Sequence, residues 1–434
     1  MSEALFVILD GAVAGTVVRL RGGRLRFDYH EEYCQRPDAT PLSLSMPRQV
    51  RSHADHVVTP WLWGMLPDNE AVIRRWSRHF HVSASSPFSL LATPIGEDCA
   101  GAVRFVAQDG LERALAGAGN VQWLTDGEVA ERLRELQSDS TAWLGRSFTG
   151  QFSLAGAQAK TALLLQDERW GVPSGGIPTT HILKPAVAGL DDHDLNEHLC
   201  LDAARRAGLV AAHTEVMRFG EETAVVVTRY DRVTAQGKSD VVRVHQEDLC
   251  QALGVPPMRK YQNEGGPGPA DVAKLLRQAL PPDVAEDAVW RFADALIWNW
   301  LIGGTDAHAK NYSLLLSGNQ VRLAPLYDVA SALPYGTHER KLRFAMKIGG
   351  DYRVHPQQNT WPAAARELHI GAEALLARVD ELAAAAPHAF ADACKSDTVV
   401  ALGRELPGRL LDLIGDRASR CRKLIASGTP TDSR

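Results

Sequence analysis

The chain is poor in the features that mark secreted, metal-stapled or membrane-spanning proteins. Its 434 residues hold six cysteines (Cys34, Cys99, Cys200, Cys250, Cys394, Cys421) with no CxxC pair, so neither a zinc site nor a disulfide framework is indicated. No run approaches the roughly 18 apolar residues that span a bilayer. The opening Met-Ser-Glu-Ala-Leu-Phe-Val-Ile-Leu-Asp lacks a basic region, and its apolar run is too short for a signal peptide. A cationic excess is missing too. With 47 Lys+Arg against 52 Asp+Glu the net charge is −5, which argues against a free-standing nucleic-acid binder while leaving room for a local basic face. These absences predict a cytoplasmic protein with no membrane partner.

What is present is ordinary globular material, 45% hydrophobic and 23% charged. A chain this long exceeds one core, so two or three packed parts are expected. Short strands joined by Asp10-Gly11 and Gly22-Gly23 fill residues 4–30. A helical stretch at 61–80 follows, with a break at Pro67, and residues 87–107 read as strand-like. The Gly- and Ala-rich segment 108–125 reads as a boundary. Strands are expected at 161–165, 180–184 and 224–230, and a helix at 195–207 ended by Gly208; beyond Gly265-Gly266-Pro267-Gly268-Pro269 the chain reads as mostly helical. The division that results is 1–110, 126–260 and 261–434.

The segment Thr305-Asp306-Ala307-His308-Ala309-Lys310-Asn311 carries the most chemistry. Asp306 and Asn311 stand five positions apart after an apolar run and Gly303-Gly304. Protein kinases use that spacing in the catalytic loop, the Asp taking the substrate hydroxyl's proton and the Asn reaching a phosphate-bound Mg²⁺. Asp328 follows after the apolar stretch 321–325, where a metal-binding Asp on a β-hairpin is expected. Such oxygen donors suit Mg²⁺, which takes few protein ligands and keeps phosphate and water. The same Asp and Asn would also serve as plain turn formers.

Three more constellations fall in kinase order. Ala155-Gly156-Ala157-Gln158, opened by Ser153 and closed by Lys160, is a small-residue turn whose backbone N–H groups could approach a phosphate. It is neither a Walker A motif nor the usual kinase glycine pattern. Lys184 ends an apolar strand beside Pro185 and offers a point charge for α- and β-phosphates. Glu197, near a helix start, is a candidate orienting partner for Lys184, or simply a favourable charge in a first helical turn.

The stretches 153–165 (SLAGAQAKTALLL), 180–185 (THILKP), Asn196-Glu197, 228–232 (TRYDR), 245–254 (HQEDLCQALG), 260–268 (KYQNEGGPG), 301–313 (LIGGTDAHAKNYS) and 325–332 (PLYDVASA) resemble the HipA family of serine/threonine kinase toxins. Leu66-Pro67-Asp68-Asn69 and Gly101-Ala102-Val103 extend the likeness through the N-terminal region. The resemblance implies an α+β, protein-kinase-like two-lobe fold, with a small β-rich N-terminal subdomain and an all-α C-terminal lobe. It implies ATP and Mg²⁺ as cofactors, Lys184 on nucleotide phosphates, Thr228, Arg229 and Tyr230 at the strand end with His308 and Lys310 in the Asp306 loop as further nucleotide contacts, Asp306 as catalytic base, and Asn311 and Asp328 as metal ligands. Ser153 matches the family's self-inactivating autophosphorylation site. The implied partners are an aminoacyl-tRNA synthetase as protein substrate and a HipB-like DNA-binding antitoxin, with operator DNA reached only through the antitoxin; growth arrest or persistence would follow. Two positions depart from the family pattern: Thr228 where Glu is common, and Ala159 where an acidic residue often precedes the loop lysine. A pseudokinase co-repressor and a lipid or small-molecule kinase are the competing readings.

Overall fold

Short apolar runs fill the first thirty positions, and the two Gly-containing turns between them close a meander. Strands Ala4–Leu9 (β1), Ala12–Arg19 (β2) and Leu25–Tyr29 (β3) run antiparallel. Asp10 and Gly11 both take positive φ (52° and 72°), the backbone a two-residue hairpin requires and Asp-Gly supplies. This computed structural model describes residues 3–187, 189–234, 241–336 and 338–428. Its packing divides the chain into unit 1 (1–187, 218–258, 313–324) and unit 2 (188–217, 259–312, 325–434).

In unit 1, Ser52–Ala54 (β4) and Arg104–Val106 (β5) flank the meander in the order β4-β3-β2-β1-β5. Val7, Val17 and Phe27 from its strands are buried in one core with Trp61 and Trp76. Those tryptophans come from helices Asp55–Gly64 and Glu70–Phe80; the break between them spans the expected Pro67, and the Asn69 side chain caps the second by accepting from Ala71 N at 2.9 Å. Residues 87–107 hold less strand than their composition suggests. Ser86 caps, and Pro87 begins, a helix at Pro87–Leu91, so only 104–106 is extended. The segment 108–125 likewise holds structure: a helix at Leu111–Leu115 and an edge strand, Gly119–Leu124 (β6).

Thr161–Gln166 (β7), His181–Pro185 (β9) and Glu222–Thr228 (β11) follow close to the expected bounds, and Arg169–Gly175 (β8) and Thr214–Phe219 (β10), which straddles the two units, are strands not among those expected from the sequence. Within unit 1 the sheet order is β11-β9-β7-β8-β6, all antiparallel. Arg232–Thr234 (β12) pairs with Val241–Arg243 (β13), and His245–Asp248 (β14) pairs with the hairpin Ser313–Ser317 (β15) and Gln320–Leu323 (β16).

The N-terminal sheet region and this second sheet are joined by buried charge. Asp98 accepts from Arg232 Nη2 (3.0 Å), Arg243 Nη2 (3.2 Å) and Thr179 Oγ1 (2.6 Å). Asp231 accepts from Arg229 Nε and Nη2 (2.9 and 2.8 Å) and from Gly101 N (2.7 Å). Burial alone would raise both carboxyls, yet the surrounding guanidiniums overcome it and hold them below the usual carboxylate range. Removing one partner from such a network typically costs about 3–5 kcal/mol, because the other charge stays buried.

Unit 2 is helical, with Pro269–Ala279, Pro282–Ile302, Thr360–Leu368, Ala372–Cys394 and Leu406–Gly428 as its main helices besides His193–Arg206. The hairpin Arg343–Ile348 (β17) and Asp351–Arg353 (β18) interrupts them. Trp298 stacks on Phe390 at 5.9 Å and Trp300 meets Trp361 edge-on at 5.3 Å. Among the described residues no helix is long and apolar enough to cross a membrane.

One buried carboxyl in unit 1 makes stability depend on pH. Glu247 on β14 accepts from Ser43 Oγ (2.5 Å) and Leu44 N (2.8 Å), and burial pushes it from 4.5 up to about 8. Folding therefore favours its protonated form. The contribution is fully present below about 4.5 and is lost as pH rises through about 8. Glu247→Gln should remove this part of the slope, gaining on the order of 2–4 kcal/mol on the wild type between acid and mildly alkaline pH. Urea denaturation of both proteins at the two ends of that range checks it, and parallel pH curves would refute it.

Candidate active site

In unit 2 the site begins where its long central helix stops. Pro282–Ile302 ends at Gly303 with φ 65°, and Gly304 N returns to Asn299 O at 2.8 Å. A side chain at Gly304 would lie 2.4 Å from Asn299 Oδ1, so the sharp exit needs the glycine pair. The chain emerges at Asp306, which is exposed. Its backbone carbonyl accepts from His308 N and from Asn311 Nδ2, both at 2.8 Å, and Asn311 N reaches His308 O at 2.9 Å. The five-residue spacing thus closes a small ring. The Asn311 amide is fixed with Nδ2 toward Asp306 and Oδ1, the atom a cation takes, turned away from it. His308 and Lys310 are 3% and 4% exposed, so their side chains pack inward under the loop.

Tyr261 supplies a contact that the spacing did not reveal. Its hydroxyl donates to Asp306 Oδ1 at 2.8 Å, and its ring meets His308 edge-on at 5.0 Å. One carboxylate oxygen is thereby held. Tyr261 lies in the 260–268 stretch, which carries part of the family resemblance in the sequence but gives the hydroxyl no role there. A cleft of about 540 Å³ opens beside Thr305, lined by Tyr261, Asn263, Arg343, Tyr352 and Arg353.

Asp328 is positioned by its neighbours. Tyr327 Oη donates to Lys310 O at 2.7 Å, and Leu326 N and O bond to Val210 and Ala212. Ser331 Oγ donates to Ile302 O at 2.6 Å, while Asn196 holds both Ser331 O (2.8 Å) and Ser331 N (3.0 Å). The same helix end therefore carries both the Asp306 loop and the Asp328 segment. Asp328 itself has φ 57°, a left-handed conformation that Asp tolerates better than most residues, and lies five positions past β16 rather than on it. Among the described residues no three His, Cys, Asp or Glu cluster as a softer metal would require. The carboxylates of Asp306 and Asp328 with the Asn311 carboxamide are all oxygen donors, which fits Mg²⁺.

Unit 1 holds the other candidates except Glu197. Lys184 is 5% exposed on β9, in register with Val225 of β11. Ser153 is fully buried; its hydroxyl donates to Met65 O at 2.7 Å and its N–H to Asp98 O at 2.9 Å. Asp68 N holds Gly156 O at 3.0 Å, and Lys160 Nζ closes the loop on Ala155 O at 2.7 Å. Gly156 has φ 104°, and a Cβ there would meet Lys160 Nζ at 2.7 Å. Residues 155–158 thus form a tight loop tied down by 65–68, which explains the Leu66-Pro67-Asp68-Asn69 stretch. Thr228 pairs with His181, and Tyr230 Oη bonds Gln246. The side chain of Arg229 is a correction: its three nitrogens are engaged by Asp231, Asp98, Thr179 and Cys99 O, and its backbone N–H by Thr180 O, so it is structural and not a nucleotide contact. Glu197 is 1% exposed on its helix in unit 2.

Two family models match the chain, the HipA N-terminal domain over residues 5–106 and the HipA-like C-terminal domain over residues 152–390. Y4mE of Sinorhizobium fredii, which bears a kinase name, is 32% identical over 425 residues, covering 98% of this chain and 99% of that protein. The serine/threonine-protein kinase toxin HipA of Shewanella oneidensis is 28% identical over 320 residues, 70% of each chain. The chain belongs to the HipA family. Its fold is that of HipA in the solved complex of HipA, HipB and operator DNA from Shewanella oneidensis MR-1, with a TM-score of 0.82 at 22% identity over 99% of this chain and 100% of that one.

The Tyr261–Asp306 bond invites a direct test. Tyr261→Phe removes a donor to a charged acceptor and should lower phosphorylation turnover by about tenfold to a hundredfold, with a smaller change in KM for ATP. Steady-state kinetics decide it; unchanged kcat would mean that the hydroxyl does not hold the carboxylate during turnover.

Proposed function

We propose that the protein is an active serine/threonine kinase toxin that transfers the ATP γ-phosphoryl group to a protein hydroxyl. The observation that carries this is the Asp306 ring: an exposed carboxylate held by Tyr261 on one oxygen, with Asn311 locked to its own backbone. Asp306 would accept the hydroxyl proton, and the cleft beside Thr305 would receive the protein segment bearing it. Asn311 and Asp328 would hold Mg²⁺, which supplies charge neutralisation at the transferring phosphoryl group. Lys184 would take the nucleotide phosphates together with the 155–158 backbone, and Thr228 and Tyr230 would border the adenine. Positioning and charge would dominate the rate, without covalent catalysis.

The family likeness supports the rest of the reading. Residues 1–110 would be the N-terminal subdomain, with the kinase parts at 126–260 and 261–434. The substrate would be an aminoacyl-tRNA synthetase, and its phosphorylation would halt translation and cause growth arrest. A HipB-like antitoxin would be the partner and would carry the chain to operator DNA, as the composition of the solved HipA complex suggests; a net charge of −5 suits indirect contact. The full set Lys184, Asp306, Asn311 and Asp328 favours activity over a pseudokinase role.

Asp306→Asn preserves shape and removes the proton acceptor. Phosphotransfer should fall by roughly 10²–10⁴-fold with the fold intact. Radiolabel transfer from ATP measures it, and near-normal transfer would show that another group is the base.

Ser153 would be the off switch. Its hydroxyl is a buried donor to a carbonyl, so a phosphate, bringing about −1.5 to −2 charges and no donor in its ionised form, could not return to that place. The 153–160 loop would stay out and its backbone donors would leave the nucleotide. Prolonged incubation with Mg·ATP should add one phosphate at Ser153 and weaken ATP binding, and Ser153→Ala should escape both. Peptide mapping that finds Ser153 unmodified in an active enzyme would sink this mechanism.

A further inference from the structure

We propose that unit 1 carries an oxyanion-binding pocket, built around Arg104, that receives the phosphate or carboxylate group of a small molecule. A cavity of about 750 Å³ lies against the N-terminal sheet, β13 and the turn between β15 and β16, within the size range of small-molecule sites. Arg104 on β5 pairs with Ile8 on β1, and both line it. The Arg104 side chain is 93% buried by its 7% exposure, and Nη1 donates to Ala114 O at 3.1 Å, at the end of helix Leu111–Leu115. Among the described residues its Nε and Nη2 have no partner. Those two nitrogens form the side-on edge of a guanidinium, two parallel donors spaced for the two oxygens of a carboxylate or phosphate.

Charge points the same way. The buried Arg229 and Arg232 and the mostly buried Arg243 share two buried carboxylates, Asp98 and Asp231; Arg104 feels Asp98 without pairing to it, and Arg243 also lines the cavity. The cavity's own carboxylates are already engaged: Asp10 accepts from Tyr33 Oη (3.1 Å) and Thr40 N (3.3 Å), and Asp38 pairs with Arg36. Glu97, the remaining carboxylate that acts on Arg104, pairs with Arg113 at 3.4 Å. Burial works against the charge on Arg104 and on Arg243, and an anion across their side of the cavity would offset it. The cavity brings residues of the N-terminal domain together with residues 242–243 and 317–320 of the C-terminal domain. An occupant would therefore tie the two family domains within one unit.

Calorimetric titration of the full chain with inorganic phosphate, and separately with citrate, at constant ionic strength tests this. Saturable binding of either anion is expected, and the tighter of the two names the ligand class. Arg104→Lys keeps the charge but loses the fork and should weaken binding about tenfold or more. Lys184→Met, which alters the proposed nucleotide site, should leave it unchanged, so failure of the kinase reading would not be mistaken for failure of this one. If Arg104→Lys does not fold, hydrogen exchange on the wild type decides. Anion-induced protection at 8–11, 104–106 and 317–320 supports the pocket. No binding of either anion, loss of binding in Lys184→Met alone, or protection confined to 155–160 and 184 would overturn it.

Discussion

Unit 1 depends on the buried pairing of Asp98 and Asp231 with three arginines. Asp98 belongs to the stretch matched by the HipA N-terminal domain, and all its charged partners belong to the C-terminal domain. Neither carboxylate nor guanidinium could stay buried without the other. The N-terminal family domain and the part of the C-terminal one that lies in unit 1 are consequently packed as one unit here, although sequence models separate them. The small-residue loop inherits its position from this arrangement: Ser153 N leans on Asp98 O, and Gly156 on Asp68.

The Asp306 site is held by a different kind of force. Its geometry comes from short-range backbone capture at a helix end, where Asn311, Ser331, Asn196 and Tyr327 each close one bond. Many such bonds to backbone atoms fix a loop more tightly than ion pairs would, because directionality leaves few alternative arrangements. The exposed carboxylate is then mobile only in its own side-chain torsions, and Tyr261 restrains those.

Much of this was legible in the sequence. Spacing singled out Asp306 and Asn311, but the ring that their backbone and side chain close appears only in the structure. Strands β7, β9 and β11 fell near their expected bounds because each is an apolar run with clear turns. Other features left no local signal. Residues 87–91 looked extended from composition, but a Ser cap and a Pro at the first helical position decided otherwise. Arg229 read as a nucleotide contact because its strand-end position does not reveal that the guanidinium is taken up by Asp231, two residues on, and by Asp98, 131 residues away. Tyr261 and Asn196 act through partners 45 and 135 residues away, a distance no periodicity encodes.

Unit 1 is discontinuous along the chain, and this bears on its synthesis. Strand β14 finds its partner only in β15, some 65 residues later, beyond the whole Asp306 loop. A nascent chain that has emerged through residue 312 holds every proposed catalytic residue except Asp328, yet its first unit still lacks a closing hairpin. Long-range pairing of this kind is slow and waits on chain length. The ribosome therefore completes the unit that carries Lys184 only after it has made the Asp306 loop of the other. A message cut short in this interval yields a chain whose β14 lacks its β15 neighbour and leaves an unpaired strand edge.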